Sequence, residues 1–217
     1  MTWKTICFDF DGTLADTLPL TFHCLKAVFE KYDNQTYSNH ELIDMFGPTE
    51  DGIIKNHLKN KDKFDLAVEM YYRLYEQDHD SFVDHNEDIE RMLHYLKYKG
   101  IKLGVMTGKS RRAFAISSTL CGLSHFFDVV ITGDEVQHPK PHPEGLLKVM
   151  KELGSTPQEM IFIGDSMADI QAGKRANVTT AGVHWLDTYQ SDHFETKPDY
   201  IWTHVDEFVS LFQNRKE

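Results

Sequence analysis

The sequence has only three cysteines, Cys7, Cys24 and Cys121, and no Cys-x-x-Cys pair. That usage argues against a disulfide framework and suits a reducing cytosol. Each cysteine is flanked by apolar residues and reads as a small core residue rather than a nucleophile. No apolar run approaches membrane-spanning length. Met1-Thr2-Trp3-Lys4 runs straight into a strand-like segment, which leaves no room for a leader. Positive charge is scarce: 23 Lys and Arg stand against 34 Asp and Glu, a net charge of −11. A phosphate backbone is therefore not an expected partner. The only basic cluster near an end is Arg215-Lys216, too small to bind one. Internal repeats and low-complexity segments are also missing. These absences point to a cytoplasmic protein, monomer or homodimer, acting on a small molecule rather than on nucleic acid or membrane.

What is present looks globular. Hydrophobic residues make up 41% of the 217 and charged residues 26%, an ordinary balance for a chain able to bury a core. Thr5-Ile6-Cys7-Phe8 has the β-branched and aromatic composition of a buried strand. No convincing strand follows between Asp16 and about Phe82. Helical spacing appears instead in Phe22, Leu25, Val28 and Phe29, with Asp16 or Thr17 as cap. Asn34 to Thr36 break that helix. A short helix is expected over 41–46. Another starts at Thr49 and carries Ile53, Ile54, His57 and Leu58. A longer one over 64–75 has Leu66, Met70, Tyr71, Leu74 and Tyr75 as candidate buried positions. Its aromatic stripe, Phe64, Tyr71, Tyr72 and Tyr75, reads as helix-packing core.

From Asn86 helix and strand alternate. Asn86 caps a helix with Ile89, Met92, Leu93 and Leu96 on its apolar face. Strands are expected over 101–107, 127–132, 160–163, 178–183 and 200–202. Helices are expected over 110–120, 143–153 and 166–175, with a last one around Phe208 and Phe212. Such alternation implies an α/β fold with a doubly wound parallel sheet. The helical block after the first strand reads as an insert, 16–83, within a core made of 1–15 and 84–217.

The first strand ends in Asp9-Phe10-Asp11-Gly12-Thr13. Carboxylates at the end of an apolar strand are costly to bury unless a cation or hydrogen-bond donors compensate them. Ligands of open α/β sheets bind at that end. Gly12 permits a sharp turn there. Alone, the pair equally describes solvated acids at a turn. Three later segments resemble partners. Val105-Met106-Thr107-Gly108-Lys109 offers a hydroxyl and N–H groups at a helix start, an anion cradle or an ordinary cap. In His138-Pro139-Lys140-Pro141-His142-Pro143-Glu144 two prolines stiffen the backbone of Lys140, whose charge suits a phosphate or a pair of carboxylates. His138 and His142 lack a further ligand that would make a metal set. Ile163-Gly164-Asp165-Ser166-Met167-Ala168-Asp169 delivers Asp165 from an apolar strand, while Ser166 and Asp169 fit a capping box.

In this order the four segments resemble the motifs of the haloacid dehalogenase-like hydrolase superfamily, and the resemblance spans essentially the whole chain. It implies a Rossmann-like core with a type 1 helical cap, Mg²⁺ as cofactor and phosphatase activity on a small phosphorylated metabolite. By the same resemblance Asp9 is the nucleophile that forms an aspartyl-phosphate, and Asp11 is the acid and base. Asp9, the main-chain carbonyl of Asp11, and Asp165 hold the metal. Thr107, Gly108 and Lys140 bind phosphate, and Gly12, Ser166 and Asp169 support the site. Gly108 departs from the Asn or Ser usual at that place. The turn Phe46-Gly47-Pro48-Thr49-Glu50 resembles the cap loops of phosphoglycolate phosphatases and related pyrophosphatases, which makes Thr49 and Glu50 candidates for substrate selection; a plain helix connection with a capping box reads equally well. Asp11 argues against a dehalogenase. A sugar-phosphate mutase shares both aspartates, and a non-catalytic binding protein keeping the fold is the reading outside enzymes.

Overall fold

The computed structural model of the chain describes residues 3–213; Arg215-Lys216 lie outside them. Six strands, β1 (Thr5–Phe8), β2 (Lys102–Met106), β3 (Val129–Ile131), β4 (Met160–Gly164), β5 (Thr179–Val183) and β6 (Tyr200–Trp202), form one sheet. Every pairing is parallel and the order is β3-β2-β1-β4-β5-β6. The chain winds outward from β1 to β3, returns, and winds the other way through β4 to β6. The switch point therefore lies between β1 and β4, where a crevice opens at the carboxyl ends.

Strand side chains alternate between faces, and each face has its own helices. Ile6, Phe8, Leu103, Val105, Ile161 and Ile163 pack with α6 (Glu87–Tyr98), α7 (Arg111–Leu120) and α10 (Val205–Gln213). Cys7, Met106, Met160 and Phe162 pack with α8 (Glu144–Leu153) and α9 (Met167–Arg175). The doubly wound α/β sheet expected from the alternation is the one observed.

Five α-helices and one short 3-10 helix, Lys61–Lys63, fill the segment between Asp16 and Val83. The α-helices are α1 (Leu18–Asp33), α2 (Asn39–Ile43), α3 (Glu50–His57), α4 (Phe64–Gln77) and α5 (His79–Phe82). Their buried side chains form a separate cluster, joined from the sheet's side by Ala113 of α7. Phe22, Leu25, Val28 and Phe29 are all buried in it. α1 ends at Asn34, whose left-handed φ of 52° turns the chain. α2 begins earlier than expected because Ser38 and Glu41 form a capping box.

Two local expectations need correction. Thr17 occupies the N-cap position of α1, but its hydroxyl bonds Asp11 instead of the helix, and Asp16 accepts from Thr188. Leu66 is 55% exposed. The buried face of α4 runs instead through Ala67, Tyr71, Tyr72 and Tyr75. The aromatic stripe does pack, yet its hydroxyls also reach across to α7. Tyr72 bonds Ser110 at 2.8 Å, and Tyr75 bonds Ser117 at 2.8 Å.

Substitutions on α4 should separate its two faces in chemical denaturation. Tyr71→Ala should cost about 3–5 kcal/mol, as large-to-small changes in a core do. Leu66→Gln should stay within about 0.5 kcal/mol. Comparable losses from both would contradict this orientation of the helix.

Candidate active site

β1 and β4 are neighbours, so the residues that follow them meet. Asp9 continues the ladder, its N–H donating to Ile163 O at 2.8 Å. Asp165 follows β4 and is fully buried. It accepts from Thr13 Oγ1 at 3.1 Å and from the Gln190 N–H at 2.8 Å. Gly12 turns the chain between them with φ +72°, and a Cβ there would lie 2.7 Å from Asp165 Cγ. Both the turn and the close approach thus require glycine. Gly164 has a parallel role, since its own Cβ would lie 2.6 Å from Asp169 Cβ. Asp169 and Ser166 form the expected capping box at the start of α9.

Lys140 reaches this cluster from the Pro-flanked loop. Its ammonium lies 2.8 Å from Asp9 Oδ2 and 2.7 Å from Asp169 Oδ1. Burial opposes its charge, but Asp169 and Asp9 outweigh that and raise its pKa. Asp9 is pushed up to about 7, first by burial and then by Asp169, with Lys140 opposing. Asp165 is also raised, by burial and by the two neighbouring aspartates. One lysine is too little charge for three buried carboxylates.

The carboxylate oxygens of Asp9, Asp165 and Asp169 lie within 4.8 Å of one another. Asp9 Oδ1 and Asp169 Oδ1 are both buried without a hydrogen bond, but Asp169 Oδ1 has the Lys140 ammonium at 2.7 Å and its Oδ2 has Ser166, whereas nothing among the described residues pairs with Asp9 Oδ1. An unpartnered carboxylate oxygen beside a second buried carboxylate fits a hard divalent cation with oxygen ligands. Burial pushes the Cys24 thiol up to about 12 and the Cys121 thiol up to about 11, away from the reactive thiolate form. His138 and His142 stand together with Glu144 on the surface. There Glu144 is already bonded by Gln137, His138 and Lys148.

A cavity of about 370 Å³ opens over the cluster. Asp9, Asp11, Thr107, Gly108, Lys140 and Ser166 line it, whereas the fully buried Asp165 and Asp169 are not among the lining residues. Thr107 Oγ1 accepts the Lys109 N–H at 3.2 Å. A Cβ on Gly108 would meet nothing within 4 Å, so the missing Asn or Ser side chain leaves open space. Leu18, Ile43, Phe46, Pro48 and Ile53 form an apolar wall from the helical segment.

The two candidates in the α2–α3 turn part ways. Glu50 lines the cavity, but its Oε2 accepts the Ser110 N–H at 2.8 Å and its Oε1 lies 3.4 Å from Lys109. Thr49 is not among the lining residues; its hydroxyl caps α3 by accepting from Gly52 N–H at 3.3 Å. The sequence marks Thr17 only as a helix cap, and it assigns no role to Lys109, Gln190 or Ser191. Its place directly after the Thr-Gly turn was a signal for Lys109. Gln190 and Ser191 come from the loop after β5, where no pattern marks them.

The family model described as haloacid dehalogenase-like hydrolase matches residues 6–183. The chain is 34% identical over 214 residues to the pyrophosphatase PpaX of Oceanobacillus iheyensis, covering 97% of each chain. It is 32% identical over 210 residues to the pyrophosphatase PpaX of Bacillus pumilus, covering 97% of this chain and 96% of that one. The crystal structure of a predicted phosphoglycolate phosphatase from Haemophilus somnus 129pt superposes with a TM-score of 0.83 at 22% identity. It covers 98% of this chain and 99% of that one.

The raised carboxylates tie stability to pH and to cation binding. Asp9 has an ordinary value of 3.8 and a folded value of about 7. Between these the folded chain holds more protons than the unfolded one, so its stability falls as pH rises through that window. A divalent cation relieves the repulsion only once those protons have left. Adding Mg²⁺ should therefore raise the melting temperature more at about pH 8 than at about pH 5.5. Equal shifts at both, or none, would separate the carboxylate cluster from metal binding.

Proposed function

Because the chain belongs to the haloacid dehalogenase-like hydrolase family, we propose that it is a Mg²⁺-dependent phosphatase acting on a small phosphorylated metabolite. The observation that carries this is Asp9: a buried carboxylate at a strand end, facing a cavity, with one oxygen against Lys140 and the other unpartnered. The names of the relatives, pyrophosphatase among them, support a phosphoryl substrate.

In this reading an Asp9 oxygen attacks phosphorus, and an aspartyl-phosphate forms as the ester bond breaks. Asp11 gives its proton to the departing oxygen and later takes one from the attacking water. Lys140 faces the phosphoryl oxygens, and Thr107 and the backbone at Gly108 offer hydrogen-bond donors. Asp9, Asp165 and the main-chain carbonyl of Asp11 would hold Mg²⁺, which when bound neutralises charge on the phosphoryl group. Asp169 and Ser166 keep Lys140 and the start of α9 in place. The helical segment 16–83 serves as a cap over the core of 1–15 and 84–217, excluding water and contacting the leaving group through its apolar wall.

A phosphate-release panel with Mg²⁺ tests the reading, including pyrophosphate, phosphoglycolate and sugar phosphates. A sugar-phosphate mutase would convert its ester with little phosphate released. Asp9→Asn should abolish turnover in a folded protein, and substantial remaining release would remove Asp9 as nucleophile. Asp165→Asn should lose Mg²⁺ affinity more than Asp11→Asn, because the ligand proposed at 11 is the main chain. Equal losses in calorimetric titration would overturn that division of roles.

A further inference from the structure

Lys109 has no part in the scheme above, yet its side chain is only 1% exposed. A buried ammonium requires partners, and this one has three. Its Nζ donates to Asp11 Oδ1 at 2.8 Å, lies 3.4 Å from Glu50 Oε1, and stands 4.7 Å from the centre of the Tyr75 ring. Asp11 belongs to the turn after β1. Glu50 and Tyr75 belong to α3 and α4. Burial opposes the charge, but Asp11, Tyr75 and Glu50 together raise the pKa, so the group stays a cation.

The bonds to Asp11 are one-sided. Thr17 Oγ1 also donates to Oδ1. Both donors therefore hold the same oxygen, which leaves Oδ2 for the cavity that Asp11 lines. A carboxyl group pinned by one oxygen presents the other in a fixed direction, and proton transfer depends on such alignment.

We infer that Lys109 is a positioning residue that aims Asp11 Oδ2 at the leaving-group oxygen and makes that aim depend on the cap being seated. Resting on the acid–base role proposed for Asp11, it deepens that reading. As the bond from phosphorus to the leaving oxygen breaks and the bond to Asp9 forms, the proton on Oδ2 passes to the leaving oxygen. When water attacks, its proton passes to Oδ2, its oxygen bonds phosphorus, and the bond to Asp9 breaks. Lys109 exchanges no proton in either half. Glu50 takes part only through Lys109 and the Ser110 N–H, so its effect falls on the acid, while Phe46 and Pro48 before it belong to the apolar wall that faces the substrate.

The test compares leaving groups. Catalytic efficiency is measured with p-nitrophenyl phosphate, whose phenolate departs unaided, and with the alkyl phosphate hydrolysed fastest in the panel. Lys109→Met should lose roughly 100-fold on the alkyl ester and under about 10-fold on the aryl ester, since only the former needs a well-aimed acid. Glu50→Gln should shift the same ratio to a smaller extent. Removing the lysine alone strands two carboxylates, so Lys109→Met with Glu50→Gln is made in parallel, with the fold checked by circular dichroism and melting. The double variant should show the same discrimination between esters. Equal losses on both esters in folded Lys109 variants would overturn the inference. Asp11→Asn is the reference: if it too lost both esters equally, the acid role of Asp11 would fail, a result distinct from failure of Lys109 alone.

Discussion

Three aspartates buried around one lysine form the constraint to which the rest of the core answers. Asp9, Asp165 and Asp169 gather at the switch point, and Lys140 touches two of them. Carboxylates in such a place tend to take up protons or to attract cations. The glycines at 12 and 164 exist in this geometry because a Cβ at either would strike the neighbouring aspartate. The Pro-flanked loop brings Lys140 in from outside the sheet, and the Arg175 side chain bonds Pro141 O at 2.8 Å. Ser166 and Asp169 serve two ends at once, starting α9 and steadying the lysine. A packed core, a helix start and the charge balance of the candidate site thus depend on the same few atoms.

A second charge group governs how the helical segment meets the sheet. Lys109 and Ser110 lie at the entrance to α7, and Glu50 from α3 engages both. Tyr72 and Tyr75 add hydroxyl bonds to Ser110 and Ser117. Arg112 stacks 4.2 Å from the Tyr72 ring and pairs with Glu69. Exposed pairs such as this last one contribute little. The buried Asp11–Lys109–Glu50 group is different, because losing one member leaves charge stranded in a low-dielectric site. With Lys109 engaged, the segment shows the cavity an apolar wall and one acid, and no free cation among the described lining residues. A strongly anionic leaving group would meet no compensating charge on that side, which bears on the choice between a pyrophosphate and an uncharged alcohol as the departing group.

Much was determined by the sequence itself. Helix and strand alternation from Asn86 onward determined a parallel doubly wound sheet, because periods of 2 and 3.6 are local properties of the chain. Strand composition followed by Asp marked Asp9 and Asp165, because a carboxylate after an apolar strand has to be compensated somewhere. Pairings between distant segments left no such trace. That Leu66 faces solvent while Tyr72 is buried was decided by which side of α4 meets α1 and α7. That Thr17 bonds Asp11 instead of capping its helix was decided by the turn at Gly12. That Glu50 binds Lys109 and Thr49 merely caps α3 was decided by docking of the helical segment on α7. Each of these outcomes depends on which surfaces come within a few ångströms after folding, and burial then turns a charge or hydroxyl that would be indifferent in water into a strict demand for one partner.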